Sequence, residues 1–355
     1  MQRIMQNNRQ SNMFKNVWLR LRHLRAGMLL LLFMLPQLAQ AAGVEFDTWL
    51  AGVRTQALAQ GVRAETVDAA FAGLEPDPRV LVFDARQPEF VQTFAEYLQA
   101  RVTPARVASA RKYYEQNRAI LRAIGARYQV DPQYLVAFWG LESSFGNYQG
   151  KYQVIRSLAT LAYDPRRQTF FTRELLAALR VLDEGHVPLA EFVGGWAGAM
   201  GQNQFMPSSF LNYAQDFDGD GKKNIWGNRQ DVWASIAYYL NQNKWQAGKP
   251  WGLEVDIARP VDFASLMPAS APGGCRAMRD QTRPQTLAAW AASGVTPRQV
   301  TPDNGQQYRM VVAEAGERVG YLVGANFNSI LSYNCANKYA VSIGLMADRI
   351  VASPD

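Results

Sequence analysis

The chain has 355 residues, 48% hydrophobic and 19% charged, so it can bury a large core and is long enough for more than one domain. Its formal charge of +7 does not make a nucleic-acid surface. Six of the 37 basic residues (Arg3, Arg9, Lys15, Arg20, Arg22, Arg25) lie in residues 1–41, which hold no acid, and the rest of the chain carries 31 basic against 30 acidic residues.

The N-terminus reads as an export signal. Arg20, Arg22 and Arg25 precede an apolar run, residues 26–35, too short to span a bilayer. Ala39-Gln40-Ala41 then fits a small-x-small cleavage site, so residues 1–41 are expected to be removed; a membrane anchor is the alternative. No cysteine follows the run, so a lipid has no attachment point. Export would place Cys275 and Cys335, the only cysteines, where pairing is expected, although two cysteines in so long a chain could also be buried and unpaired. His23 lies in the signal, which leaves His186 alone in the remainder; a histidine-rich metal site or a serine triad would rest on that one residue, and no role is assigned to it.

Residues 42–128 are expected to form an N-terminal helical domain, with helices over 46–60, 64–73, 90–98 and 104–127 punctuated by prolines. A central stretch follows at 131–146, DPQYLVAFWGLESSFG. Asp131 is a suitable N-cap, Pro132 suits the first helical position, and Gly146 suits the C-terminal stop. Leu135, Phe138, Trp139, Glu142 and Phe145 share one face, apolar except for the glutamate. An acid in such a stripe is costly to ionise, so its pKa should rise, and a carboxylic acid protonated near neutrality can protonate a leaving group. The competing reading is a core glutamate paired with an arginine such as Arg127 or Arg166. Helices over 154–163 and 168–184 come next. A glycine-rich run, GGWAGAMG, then leads into QFMPSS, where Trp196, Met200, Phe205 and Met206 offer an apolar lining. From Trp251 to about residue 323, short alternating segments with Pro and Gly between them suggest a small β-containing lobe with a helix over 287–293; helices over 326–333 and 338–351 close the chain.

Asp216, Asp218 and Asp220 follow D-x-D-x-D-G spacing, the first half of an EF-hand loop, with a backbone carbonyl expected from Lys222. Gly227 stands where the bidentate glutamate belongs, and Asp231, at the start of a helix over 231–243, could close the site instead. A structural calcium or sodium ion is expected; the bland alternative is a solvated Asp-Gly turn. One incomplete loop without a Met-rich groove argues against a calcium sensor.

Four ordered motifs, GLESSFG, SLATLAYDPRR, GGWAGAMGQNQFMPSSF and DFDGDGKKNIW, together resemble the membrane-bound lytic transglycosylase B family of bacterial cell-wall enzymes, glycoside hydrolase family 103. The resemblance implies a mainly α (α+β) fold: a lysozyme-like helical core over 129–250 containing the loop 216–231, the flanking helical domain, the β lobe over 251–323 and C-terminal helices over 324–355 that complete the core. It implies Glu142 as catalytic acid/base, Gln204 and Met206 at the saccharide, and Tyr333, Asn334 and Tyr339 lining the reactive subsite. Arg166 and Arg167 would meet carboxylates of the muramyl peptide, and Tyr97 is a weaker groove candidate. Gly195 departs from the pattern, standing where the best-known member carries a serine. The implied activity is non-hydrolytic cleavage of peptidoglycan glycan strands with no cofactor for the chemistry, by a periplasmic monomer that is not a lipoprotein; cell-wall synthesis or division proteins are candidate partners. A hydrolytic muramidase and a catalytically silent peptidoglycan-binding protein are the alternatives.

Overall fold

The structure, a computed structural model, describes residues 45–84, 92–270, 273–299, 305–311 and 318–352. The expected export signal, and Phe90 in an expected helix, lie outside them. Residues 45–59 form helix α1 in a short N-terminal unit that ends at Val62. Within it Phe46 and Trp49 lie with ring centroids 5.5 Å apart.

The second unit begins at Arg63. It opens with helices α2 (Ala64–Phe71), α3 (Pro78–Asp84), α4 (Phe94–Arg101), α5 (Pro104–Gln116), α6 (Arg118–Tyr128) and α7 (Pro132–Ser143). Thr93 and Glu96 form a capping box on α4, which fixes its start four residues later than the apolar pattern suggests. The helix expected over 104–127 is two helices. Asn117 interrupts it at φ −118°, its side-chain amide donating to the Tyr113 carbonyl at 2.7 Å in competition with the helix ladder.

Helix α7 is buried along almost its whole length, from Tyr134 to Gly140, and not on one face alone. It packs against α5, α6, α11 (Arg229–Gln242) and α15 (Asn337–Val351). Pro132 takes the first turn as expected, but Asp131 does not cap with its side chain. That carboxylate accepts from Trp245 Nε1 at 3.1 Å and from the Gly248 N–H at 3.2 Å, so it ties the helix start to a distant turn.

After α7 come β1 (Tyr152–Gln153), α8 (Val154–Tyr163), α9 (Gln168–Asp183), β2 (Val193–Gly194) and α10 (Pro207–Tyr213), then α11. Strands β1 and β2 pair antiparallel, Tyr152 opposite Gly194. The β lobe holds β3 (Gly252–Ile257), α12 (Phe263–Leu266), β4 (Gln285–Thr286), α13 (Leu287–Ala292), β5 (Val295–Pro297), β6 (Gln307–Val311) and β7 (Val319–Val323). Its antiparallel sheet runs β4-β6-β7-β3-β5. Val255, Trp290, Tyr308, Met310 and Leu322 form its core, and Trp290 Nε1 donates to the Tyr308 carbonyl at 3.0 Å. Helix α14 (Ala325–Tyr333) then returns the chain to α15, which lies against α7. The architecture is mainly helical, with the lobe's small sheet and the short β1–β2 pair among the described residues, as the fold reading implied.

Candidate active site

Glu142 is half-buried in the last turn of α7. The helix stops because three successive residues enter the left-handed region: Ser144 (φ 50°), Phe145 (62°) and Gly146 (82°). The cap is therefore Ser144, two residues before the expected glycine. Side chains other than glycine cost about 1–3 kcal/mol in this region, and such residues persist only when neighbours hold them. Here the Phe145 N–H donates to the Trp139 carbonyl, the Gly146 N–H to Ser143 Oγ at 3.0 Å, and the Tyr148 N–H to the Ser143 carbonyl at 2.9 Å. The turn folds the Phe145 ring back over Gly140, so close that a β-carbon there would lie 2.5 Å from it.

Tyr339, in the first turn of α15, donates its hydroxyl to Glu142 Oε1 at 2.5 Å and is 5% exposed. Tyr333, the last residue of α14, donates its own hydroxyl to the Asn203 carbonyl at 2.6 Å. The Tyr333 ring sits 4.8 Å from Phe138 and 4.8 Å from Tyr239. Burial raises both phenols well above their ordinary range, and the nearby charge of Glu142 pushes them further. Both therefore stay protonated as donors. The arginines considered as partners for Glu142 are engaged elsewhere. Arg127 lies over the Tyr128 and Phe217 rings, and Arg166 pairs with Asp164 at 2.5 Å.

The glycine-rich run and QFMPSS wrap beside this cluster through Asn203. Gln204 is held at φ 51°, with Nε2 donating to the carbonyls of Gln149 at 3.1 Å and Gly201 at 2.9 Å. A β-carbon on Gly195 would come within 3.3 Å of Gln204 Oε1, so a serine there would touch that amide. Met206 is half-buried at the residue before α10 and makes no side-chain capping bond. Sequence reasoning missed several residues that shape this wall. Glu174 on α9, 0% exposed, accepts from the Ser208 N–H at 3.0 Å and from Ser208 Oγ at 2.8 Å. Both its oxygens are engaged at the start of α10, so this second carboxylate anchors QFMPSS. Gln202 joins Trp139 Nε1 (2.7 Å) to the Trp226 carbonyl (2.7 Å). Polar residues embedded in the apolar run were the only available signal for Gln202 and Asn203.

Asn334 is exposed at the end of α14. Tyr97 is 2% exposed, with the Arg101 guanidinium 3.8 Å from its ring centre, and it lies near enough to Tyr339 to help raise that phenol. Arg166 and Arg167 form a separate ionic cluster. Arg167 reaches Asp84 at 2.9 Å, and Arg166 reaches Asp84 at 3.6 Å as well as Asp164. Cys275 and Cys335 form a disulfide.

In the acidic loop, carboxylate oxygens of Asp216, Asp218 and Asp231 lie within 4.8 Å of one another. Asp220 is outside that group and accepts from the Lys222 N–H at 2.8 Å. Asp231 is 0% exposed and accepts from the N–H groups of Phe217 and Asn224, both at 2.8 Å. Burial raises its pKa to about 6 despite these bonds, and the charges of Asp218 and Asp216 add to the rise. An all-oxygen set converging on a buried carboxylate fits a hard cation. Asn228, not Asp231, caps the following helix, with Oδ1 accepting from the Gln230 N–H at 2.9 Å. His186 is also tied here, its Nδ1 accepting from the Lys223 N–H at 3.2 Å.

Among the described residues, no helix is long and apolar enough to cross a membrane. The model of the transglycosylase SLT domain matches residues 45–348. Membrane-bound lytic murein transglycosylase B of Escherichia coli is 32% identical over 257 residues, which is 72% of this chain and 66% of that relative. The chain thus spans about two thirds of that protein's length. The crystal structure of SltB3 from Pseudomonas aeruginosa in complex with NAG-anhNAM-pentapeptide is 41% identical, with a TM-score of 0.76 over 86% of this chain and 79% of that one. The Escherichia coli lytic transglycosylase Slt35 in complex with calcium is 27% identical, with a TM-score of 0.69 over 85% of this chain and 92% of that one. With Glu142 held by Tyr339 inside a matching helical fold, the chain belongs to the transglycosylase SLT-domain family of lytic murein transglycosylases.

Proposed function

We propose that this protein cleaves the β-1,4 bond between N-acetylmuramic acid and N-acetylglucosamine in peptidoglycan without hydrolysis, leaving a 1,6-anhydro end. Glu142 protonates the glycosidic oxygen, and the substrate's own acetamido oxygen stabilises the developing sugar cation. Ionised Glu142 then takes the proton of the 6-hydroxyl on the same muramic acid, and that oxygen closes on C1. The observation that carries the reading is the hydrogen bond from Tyr339 to Glu142 Oε1. A donor on one carboxyl oxygen directs the acid proton to the other, and a buried neutral phenol holds that arrangement in both half-reactions. Gln204 and Met206 contact the saccharide, while Tyr333 and Asn334 line the reactive subsite.

The protein acts as a periplasmic monomer on glycan strands, exported by residues 1–41 without lipid attachment. The functional division follows 42–128, the core 129–250, the lobe 251–323 and the closing helices 324–355. Asp216, Asp218 and Asp231 hold a structural calcium ion, which orders the loop leading into α11 and takes no part in the chemistry.

Digestion of purified sacculi with mass spectrometry of the released fragments is the test. Anhydro-ended muropeptides are expected from the wild type, and Glu142→Gln should bind sacculi yet release nothing. Reducing ends would make the protein a muramidase, and no release by the wild type would make it a binding protein.

A further inference from the structure

Glu142 lies between two points that a single side chain touches. Gln202, 6% exposed, accepts at Oε1 from Trp139 Nε1 at 2.7 Å, three residues before Glu142. A β-carbon at Gly146, four residues after Glu142, would collide with the same oxygen, so the backbone of the left-handed turn lies against it. The Trp139 carbonyl completes the ring of contacts. It accepts from the N–H groups of Ser144 and Phe145 and from Ser143 Oγ. Holding the Trp139 indole and the Gly146 backbone together therefore holds the segment that carries Glu142, whose carboxyl Tyr339 meets at its tip.

The clamp is anchored on its other side. Gln202 Nε2 donates to the Trp226 carbonyl at 2.7 Å, and the Gln202 N–H donates to the Ile225 carbonyl at 2.9 Å. The Trp226 N–H donates in turn to Asn224 Oδ1 at 3.2 Å, and the Asn224 N–H donates to the buried Asp231 of α11 at 2.8 Å. An indole N–H only donates and a carbonyl only accepts, so the Gln202 amide has one permitted orientation. Neither an aliphatic side chain nor a carboxylate satisfies both partners. Trp139 is fully buried, so its N–H goes unpaired if this acceptor is lost.

We propose that Gln202 is a positioning residue for Glu142: by clamping Trp139 and Gly146 it keeps the carboxyl in one place from proton delivery to proton recovery. This rests on the transglycosylase function proposed above. After the glycosidic bond breaks, ionised Glu142 must meet the 6-hydroxyl of the same sugar. A carboxylate that drifts from that spot takes a proton from water instead. The water oxygen then bonds to C1, and a reducing end replaces the anhydro bridge.

The test measures kcat per folded molecule, KM, and the ratio of reducing to anhydro ends released from soluble glycan chains. Gln202→Leu keeps the bulk and loses both side-chain bonds. Its kcat should fall about tenfold or more, the scale of a small misplacement of a catalytic group. Its KM should stay within about twofold, because no substrate contact is removed. Reducing ends should take a larger share of its products, a ratio that partial loss of folded protein does not alter. Gln202→Glu supplies the rescue. Its new carboxyl, when protonated, accepts from Trp139 and donates to Trp226 as the amide does, and when ionised it cannot donate. Burial favours the protonated form, so this variant should regain the wild-type product ratio at about pH 5. Wild-type kcat and product ratio in Gln202→Leu, or no rescue by Gln202→Glu, overturn the clamp; anhydro ends from the wild type then leave the transglycosylase reading standing. Reducing ends alone from the wild type, or no release at all, overturn both.

Discussion

Replacing Tyr339 by Phe removes one hydroxyl and leaves the ring, which is edge-on to Phe138 with centroids 6.3 Å apart, in its packed place. The hydroxyl donates to Glu142 Oε1, so its loss withdraws a hydrogen bond to a group that is charged in half of the cycle. Such bonds contribute about 1.5–3 kcal/mol. The bond is stronger to the carboxylate than to the acid, so at 1.36 kcal/mol per pH unit its loss moves the acid's titration upward by no more than about 1–2 units. The alkaline limb of kcat should shift up by that amount, because Glu142 must be protonated to act first. The plateau rate should fall by about ten- to a hundredfold as the carboxyl loses its fixed orientation. The assay is release of anhydro muropeptides between pH 4 and 9. Tyr333→Phe, whose hydroxyl serves the Asn203 carbonyl, should leave the limb in place. An unmoved limb and an unchanged plateau in Tyr339→Phe would refute the assignment of Glu142 as the acid.

Calcium should raise the melting temperature by a few degrees when in large excess over its dissociation constant, and Asp231→Asn should abolish the gain. Because burial raises Asp231 to about 6, the cation-free protein loses that group's contribution as pH rises from about 4 through 6. A bound cation reverses this, so the calcium gain should be larger at pH 8 than at pH 5, as thermal melts at both pH values would reveal. Burial lowers the pKa of His186, and its Nδ1 must be unprotonated to accept from the Lys223 N–H. Its stability contribution is therefore full above about 6.5 and lost as pH falls through its folded value; a melting-temperature profile from pH 5 to 7.5 should be flatter for His186→Gln. Gly150→Ala sets a β-carbon 2.0 Å from the Gly194 oxygen at a positive φ, so β1 and β2 must separate. A loss of more than about 2 kcal/mol in denaturant unfolding is expected, and near-neutral behaviour would mean the approach is looser than described.

What the sequence disclosed was local. The helix carrying Glu142 could be read because proline, apolar spacing and the terminal turn are contained in sixteen residues. The first half of the acidic loop could be read because Asp216, Asp218 and Asp220 are spaced by two, whereas Asp231, which joins Asp216 and Asp218 in place of Asp220, lies thirteen residues beyond Asp218. Asn117 was not read as a break, since its competing bond to Tyr113 is one of several an asparagine can make. Long-range partners left no trace either. Asp84 lies 83 residues from the Arg167 it neutralises, and Glu174 lies 34 from the Ser208 it anchors. Tyr339 is 197 residues from Glu142, and only the family resemblance drew attention to it. Periodicity identifies which residues share a face of one helix, but not which phenol from another helix meets it.

The bond between Cys275 and Cys335 joins the lobe to the short crossing between Tyr333 and Tyr339. Asn337 reinforces that junction, donating to the Ala277 carbonyl at 2.8 Å and accepting from Gln281 Nε2 at 3.0 Å. The lobe thereby acts as a brace: it ties down the segment from which the α15 helix, carrying Tyr339, begins. A thiol reagent would slacken this brace first, and accuracy of proton delivery would be lost while the helical body still stood.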